Sequence, residues 1–349
     1  MQSTTISVDL AKSVFQIAVS RRPGKVSESH RLSRSQFLRF FAERRPALVL
    51  LEACGTAHFW AREIQALGHH VKLLPPHAVR RHVDRRSKTD KGDAKALLEA
   101  HRDDRVRAVP VKSVAQQTLA ALHRLRSAWM ADRTARINLV RGLLREFGLP
   151  IPVGARHVVV TALALLEQDQ LPAPLRPGLA AACREIGEFE TRIAELERQL
   201  RTLAVQLPVV ERLQSIPGVG LLTSTALVAL VGDVQRFPTS RHFASYLGLV
   251  PREHSSGLRR RLGGISKAGD TYLRTLLIGG ARSVLLATQR CQRREPDRLR
   301  RWALQVHRLR GHNPAAVALA NKLARIVWAV WRNDTRFASR PVTARSKAN

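Results

Sequence analysis

The sequence predicts an α/β sheet domain followed by a remainder built almost entirely of helices. Three observations predict it. Strand and helix signals alternate over about the first 110 residues, and the strand signal then vanishes from Val114 onward. From Ile186 to Leu207, apolar residues step by three and four without a gap, which is a helical period.

Taken in order, residues 4–20 (TTISVDLAKSVFQIAVS) offer two β-rich runs, and RRPGK is the turn expected to fold them into a hairpin. A helix is expected at Ser35–Arg44, a buried strand in ALVLLEA, a helix at Ala57–Leu67, a strand in HHVKLLP and a helix at Lys91–His101. Beyond Val114, the residues Leu119, Leu122, Leu125, Trp129, Ile137, Val140 and Leu144 predict a long helix with one apolar side. DQLPAPLRPG is a proline-rich break. Ile186, Phe189, Ile193, Leu196, Leu200, Leu203 and Leu207 then form an a/d heptad seam flanked by Glu and Arg. Such a seam can pack on the preceding long helix as an antiparallel hairpin, or join subunits, and both can hold in one oligomer. After Pro208 a compact helical domain is expected. Its last strong helix should start with Asn313 as N-cap and Pro314 at N1, and run through Trp331. The expected divisions are 1–110, 111–207, 208–332 and a basic disordered tail at 333–349.

The chain has 349 residues, enough to bury a real core and to hold about two domains. Lysine and arginine number 59 against 27 aspartate and glutamate, a formal charge of +32. So large an excess opposes compaction unless a polyanion neutralises it, which points to nucleic acid but not by itself to catalysis. No long apolar run or amino-terminal signal pattern is present, so no membrane partner is expected. Cys54, Cys183 and Cys291 lie far apart with no CxxC pair, which argues against zinc knuckles and disulfides and fits a reducing cytoplasm.

Four acids stand out. Asp9 ends the first strand, Glu52 ends the apolar run, and Asp90 and Asp93 share one face at the start of a helix. Acids at the ends of adjacent strands point into one crevice, and a helix can bring two more to it. Carboxylates crowded together repel unless cations sit between them, and hard oxygen donors suit Mg²⁺ or Mn²⁺ in phosphoryl transfer. Singly, Asp90 and Asp93 could do no more than favour a helix amino-terminus, and Glu52 could pair with an arginine.

Two further segments bear on nucleic acid. SIPGVG, from Ser215, has the helix-hairpin-helix pattern, in which Gly218 and Gly220 let backbone amides approach a phosphate. Downstream, Ser255, Ser256 and Gly257 are followed by Arg259, Arg260 and Arg261, then Lys267 and Arg274. A serine hydroxyl among arginines can act as a nucleophile toward a phosphodiester while the cations hold the phosphate. The alternative is a turn whose arginines grip phosphate while its serines only hydrogen-bond.

The succession VDLAK, LEACGT followed by Trp60, KTDKGDAKAL, SIPGVG, FASYLGLVPREHSSG and ISKAGDTYLR resembles the DEDD insertion-sequence transposases, understood as bridge-RNA-guided recombinases, over about Ile6 to Trp331. The resemblance implies an α/β ribonuclease-H-like (RuvC-like) domain, a helical coiled-coil segment and a mainly α-helical transposase domain. It matches Asp9, Glu52, Asp90 and Asp93 to the family's four metal-binding acids and Ser256 to its nucleophilic serine, with Ser255 leaving one position of ambiguity. It also implies a covalent phosphoserine intermediate, Mg²⁺, a composite site supplied by different subunits of a dimer or tetramer, and a structured guide RNA that pairs with donor and target DNA. A bacterial cytoplasmic, nucleoid-associated location goes with that reading. Two rivals stand beside it: a Mg²⁺-dependent Holliday-junction-type nuclease in which Ser256 is incidental, and a non-catalytic nucleic-acid-binding protein.

Overall fold

The computed structural model describes residues 4–23, 25–83, 89–168, 170–257, 259–290 and 295–338, without the side chains of residues 90 and 91. The chain divides into two compact units, Met1–Val114 and Ala115–Asn349.

The first unit is built on β1 (Thr5–Leu10), β2 (Val14–Ser20), β3 (Glu28–Ser33), α1 (Arg34–Ala42), β4 (Leu48–Glu52), α2 (Ala57–Ala66), β5 (His70–Leu74), α3 (Pro76–Val79) and α4 (Asp90–Arg102). The sheet order is β3-β2-β1-β4-β5. The first three strands pair antiparallel, while β4 joins β1 and β5 joins β4 in parallel. This mixed sheet is compatible with the ribonuclease-H-like expectation. Ile6, Val8, Phe15, Ile17, Val49 and Leu51 pack with Phe37, Phe41, Trp60 and Ile64 of α1 and α2. On the other face, Ala18 and Leu50 meet Ala94 and Leu98 of α4. Central strands covered on both sides must be apolar on both faces, which is why β2 and β4 read as continuous hydrophobic runs.

The first hairpin differs from the expectation. The β1–β2 hairpin closes through residues 11–13, and RRPGK instead lies between β2 and β3. The sequence of β3, ESHRLS, carries no apolar alternation because it is an edge strand that leaves part of its surface in water.

The second unit begins along α5 (Val114–Glu146) and continues through α6 (Val158–Glu167), α7 (Arg176–Val205), α8 (Pro208–Gln214), α9 (Leu221–Val231), α10 (Ser240–Tyr246), β6 (Pro251–Glu253), β7 (Leu262–Ile265), α11 (Thr271–Arg290), α12 (Arg298–Arg310) and α13 (His312–Arg332). The seam residues Ile186, Ile193, Leu196 and Leu200 are buried. Helices α5 and α7 run antiparallel within the chain: Arg126 donates to Glu197 at 2.7 Å, and Arg133–Glu190 and Arg136–Glu185 continue the ladder. Ile137, Val140 and Leu144 share one apolar cluster with Leu179, Cys183 and Ile186 at the far end of this hairpin.

Helix α13 starts earlier than expected. Gly311 is its N-cap, and Asn313, already inside the helix, accepts from Arg282 through its side-chain oxygen. Nor does the chain leave as a free tail at once. Phe337 packs on the core with its amide donating to Ser215 Oγ at 2.8 Å, and Asp334 and Arg336 pair with Arg212 and Glu211. The rest of the expected tail, 339–349, lies outside the described residues.

His123 of α5 is buried between α11 and α9, with Nδ1 2.9 Å from the Tyr272 hydroxyl and Nε2 3.0 Å from Thr225 Oγ1. Thr225 spends its own proton on the Leu221 carbonyl, so Nε2 carries the hydrogen and Nδ1 accepts from Tyr272. Burial, then the charge of Arg126, pushes His123 down to about 4 from an ordinary 6.5. Because the unfolded chain binds this proton more readily, stability is full above pH 6.5 and declines as the pH falls toward 4. Thermal melts should therefore show the melting point dropping by several degrees between pH 7.5 and pH 5. His123→Gln should flatten that slope, and an unchanged slope would remove His123 from the account.

Candidate functional site

Strand alternation decides where the acids lie. Ser7 of β1 stands level with Ala18 of β2 and Leu50 of β4. These three occupy the face covered by α4, where Ser7 Oγ donates to the Ala94 carbonyl at 2.7 Å. Two residues further along each strand, on the same face, come Asp9, Gln16 and Glu52. Both acids thus fall in one row at the carboxyl ends of parallel strands β1 and β4. Leu98 packs in a cluster with Leu48, earlier on β4, so α4 runs against β1 and β4 and its first turn faces the acid row. Thr89 caps that turn, its Oγ1 accepting from the Gly92 amide at 3.1 Å.

The backbone therefore places Asp9, Glu52 and the residues Asp90 and Asp93 at one end of one sheet face. Among the described residues, no three of His, Cys, Asp and Glu form a group able to hold a metal ion, and the Asp90 side chain lies outside them. The donor chemistry still fits a hard divalent cation: the row offers carboxylate oxygen, which suits Mg²⁺ or Mn²⁺. Sequence reasoning missed Ser7, whose buried hydroxyl ties α4 to β1. Its only signal was one hydroxyl residue inside an apolar strand.

In the second unit, the serines lie on the β6–β7 hairpin. The amide and carbonyl of Ser256 pair with the carbonyl and amide of Arg259, so Ser256 and Arg259 close the tight tip that contains Gly257. Residues 251–257 and 259–264 are exposed. The two serines differ in environment. Ser255 Oγ donates to Glu253 Oε1 at 2.8 Å and accepts from the Arg261 amide at 3.2 Å, so it braces the hairpin. The Ser255 bond, with Arg260 beside it, holds the Glu253 carboxyl below its usual value. Ser256 contributes its backbone to the tip.

The expected phosphate-binding residues divide as well. Arg259, Arg260, Arg261 and Lys267 are exposed. Arg260 reaches Glu253 at 3.2 Å. Arg274 is corrected: it is 8% exposed and donates to the carbonyls of Leu247 and Ala268 and to Thr271 Oγ1. A guanidinium so engaged holds the loop before α11 in place and does not grip phosphate.

SIPGVG forms the turn between α8 and α9, with Gly220 as N-cap of α9. Gly218 has φ +82°, and a Cβ there would come 2.8 Å from the Gly280 carbonyl oxygen. A Cβ on Gly280 of α11 would approach the Gly218 oxygen to 1.9 Å. Backbone-on-backbone packing is thus one reason for glycine at 218, apart from any phosphate. Gly280 went unnoticed in the sequence because a helical glycine pair carries no nucleic-acid pattern.

Among known proteins, residues 210–295 match the family described as Transposase IS116/IS110/IS902, and residues 6–148 match the DEDD transposase family of the IS110 group. The chain is 44% identical to a probable family 20 transposase of Pseudomonas aeruginosa, over 97% of this chain and 99% of that one. It is 38% identical to the transposase for insertion sequence element IS1111A of Coxiella burnetii, over 93% and 88% of the two chains. With the transposase for IS1328 of Yersinia enterocolitica it shares 37%, over 96% and 98%.

The glycine contact makes a paired test. Gly280→Ala should cost about 1–3 kcal/mol in urea denaturation because the backbone of Gly218 cannot give way. Gly279→Ala, whose Cβ would meet nothing within 4 Å, should be neutral or stabilising by up to about 1 kcal/mol. Equal effects at the two positions would refute the contact.

Proposed function

This chain belongs to the IS116/IS110/IS902 transposase family, and on that footing we propose that it is a DNA recombinase that inserts and excises its own mobile element. The observation that carries the reading is the hairpin tip: an exposed serine next to a glycine, with Arg259, Arg260 and Arg261 on the returning side. Ser256 Oγ attacks the phosphorus of a DNA phosphodiester, forming a phosphoserine bond as one P–O bond of the backbone breaks. The hydroxyl proton ends on the leaving oxygen. Attack by a hydroxyl of the other DNA then reverses the step and rejoins the strands, so no outside energy source is needed. Arg259, Arg261 and Lys267 neutralise the phosphate, while Arg260 is partly engaged by Glu253.

Asp9, Glu52, Asp90 and Asp93 would hold Mg²⁺ or Mn²⁺, which would supply positive charge to the reacting oxygens. Support for this comes from the shared row of Asp9 and Glu52 and from the α4 turn that faces it. A structured guide RNA and assembly into a dimer or tetramer complete the proposal. Among the described residues, no helix is long and apolar enough to cross a membrane. A location at the bacterial nucleoid belongs to the proposal and follows from DNA as the substrate. RNA sequencing of the purified protein should return one discrete species, whereas random cellular RNA would leave only electrostatic binding.

Changing Asp9 to Asn should abolish recombination of a donor and target plasmid pair while leaving circular dichroism unaltered. Wild-type recombination by that variant would sink the shared metal site. A labelled DNA end separates the rival nuclease, because only the recombinase leaves protein joined to DNA.

The serine assignment has its own test on a suicide DNA substrate. Ser256→Ala should yield no covalent product and lose activity by about a thousandfold or more. Ser255→Ala should keep measurable activity, losing about tenfold or less with the brace to Glu253. Peptide mapping that finds the adduct on Ser255 would overturn the assignment.

A further inference from the structure

Beside the serine hairpin, a cavity of about 990 Å³ opens between the β6–β7 strands and helices α12 and α13. Its rim carries Arg252, Lys267, Arg310, Lys322 and Arg325, and among the described residues no acidic one lines it. None of these five cations forms an ion pair among the described residues, whereas Arg126, Arg133 and Arg136 of the α5–α7 hairpin face glutamates. Its floor is apolar, with Trp302, Val317 and Ile265. Lys322 Nζ sits 4.0 Å from the centre of the Trp302 ring. Burial, then the charges of Arg298 and Arg325, lowers the Lys322 pKa.

We propose that this cavity binds an unpaired stretch of single-stranded DNA next to the reacting phosphodiester, with phosphates on the rim cations and a base against Trp302. The inference rests on the recombinase reading and extends it from the serine to the strand that leads into it. Size and lining both favour a single strand. A cavity on this scale admits a nucleotide or two but not a duplex, whose two backbones stand apart across a major groove about 12 Å wide. Cations above an aromatic floor are what a splayed base and its phosphate require. Continuity favours DNA over another polyanion, because Arg252 stands on β6 and Gly263 and Gly264 on β7, the same strands that carry the serine tip.

Fluorescence anisotropy of the full chain with labelled oligo-dT, oligo-rU and a DNA duplex of equal length tests this. Arg310→Gln with Lys322→Gln should weaken oligo-dT binding at least tenfold and reduce the salt slope by about 1.4. Trp302→Leu should cost about tenfold with the salt slope unchanged. Duplex binding should move little in either. The pair Arg145→Gln and Arg184→Gln, exposed on α5 and α7, removes the same charge elsewhere and should have little effect. Equal losses in that control pair, equal losses for duplex and single strand, or a loss confined to oligo-rU would each overturn the assignment. Because binding is read without chemistry, the outcome is separate from that of the covalent trap. Absence of any covalent protein–DNA product with oligo-dT binding intact would sink the recombinase reading and leave the cavity standing.

Discussion

A surplus of positive charge is the constraint under which the rest of this structure is arranged. With 59 basic and 27 acidic side chains, there are too few carboxylates to offset every cation, and where they are placed decides which surfaces stay basic. The α5–α7 hairpin uses Glu185, Glu190 and Glu197 against Arg136, Arg133 and Arg126, so two long arginine-bearing helices can lie side by side. The rim of the α12–α13 cavity and most of the hairpin tip receive no such partner among the described residues. Self-repulsion is thus relieved where the chain packs on itself and left in place where a polyanion would bring the compensating charge.

The serine hairpin shows the same division on a smaller scale. Glu253, beside the tip, accepts from both Ser255 and Arg260. One carboxylate therefore tethers one serine and one arginine and leaves their sequence neighbours to other work. Below the tip, the strands are fixed by close backbone packing: a Cβ on Gly248 or Gly269 would overlap the opposing chain at about 2 Å. Arg274 adds its hydrogen bonds to the carbonyls of Leu247 and Ala268 on the same stretch. An exposed tip on a rigid base can present a hydroxyl in a fixed position without a core of its own.

Much of the fold was legible in the sequence because burial leaves periodic marks. The runs ALVLLEA and VFQIAVS read as strands since both faces are covered, and the seam from Ile186 read as helix since one face is. Asp9 and Glu52 stood out as candidates because a charged residue near a strand end breaks an apolar pattern. What escaped notice leaves no such mark. Strand β3 is polar at the sheet edge, Ser7 acts through one hydrogen bond, and the Gly218–Gly280 contact joins residues far apart in sequence. Arg274 was misread for a related reason: a basic residue in a basic segment looks the same whether its guanidinium faces water or three backbone and side-chain oxygens.

The ladder between α5 and α7 carries a consequence for how the length of the helical arm can vary. Arg126 and Arg133 are seven residues apart, as are their partners Glu197 and Glu190. An insertion in one helix alone would rotate every later side chain by about 100° per residue and part each arginine from its glutamate. Matched insertions or deletions of near-whole turns in both helices, such as a heptad in each, preserve the register, and a heptad would shift the far end by about 10 Å. In this chain the ion-pair register ties the length of the arm to such steps, which makes it a graduated spacer.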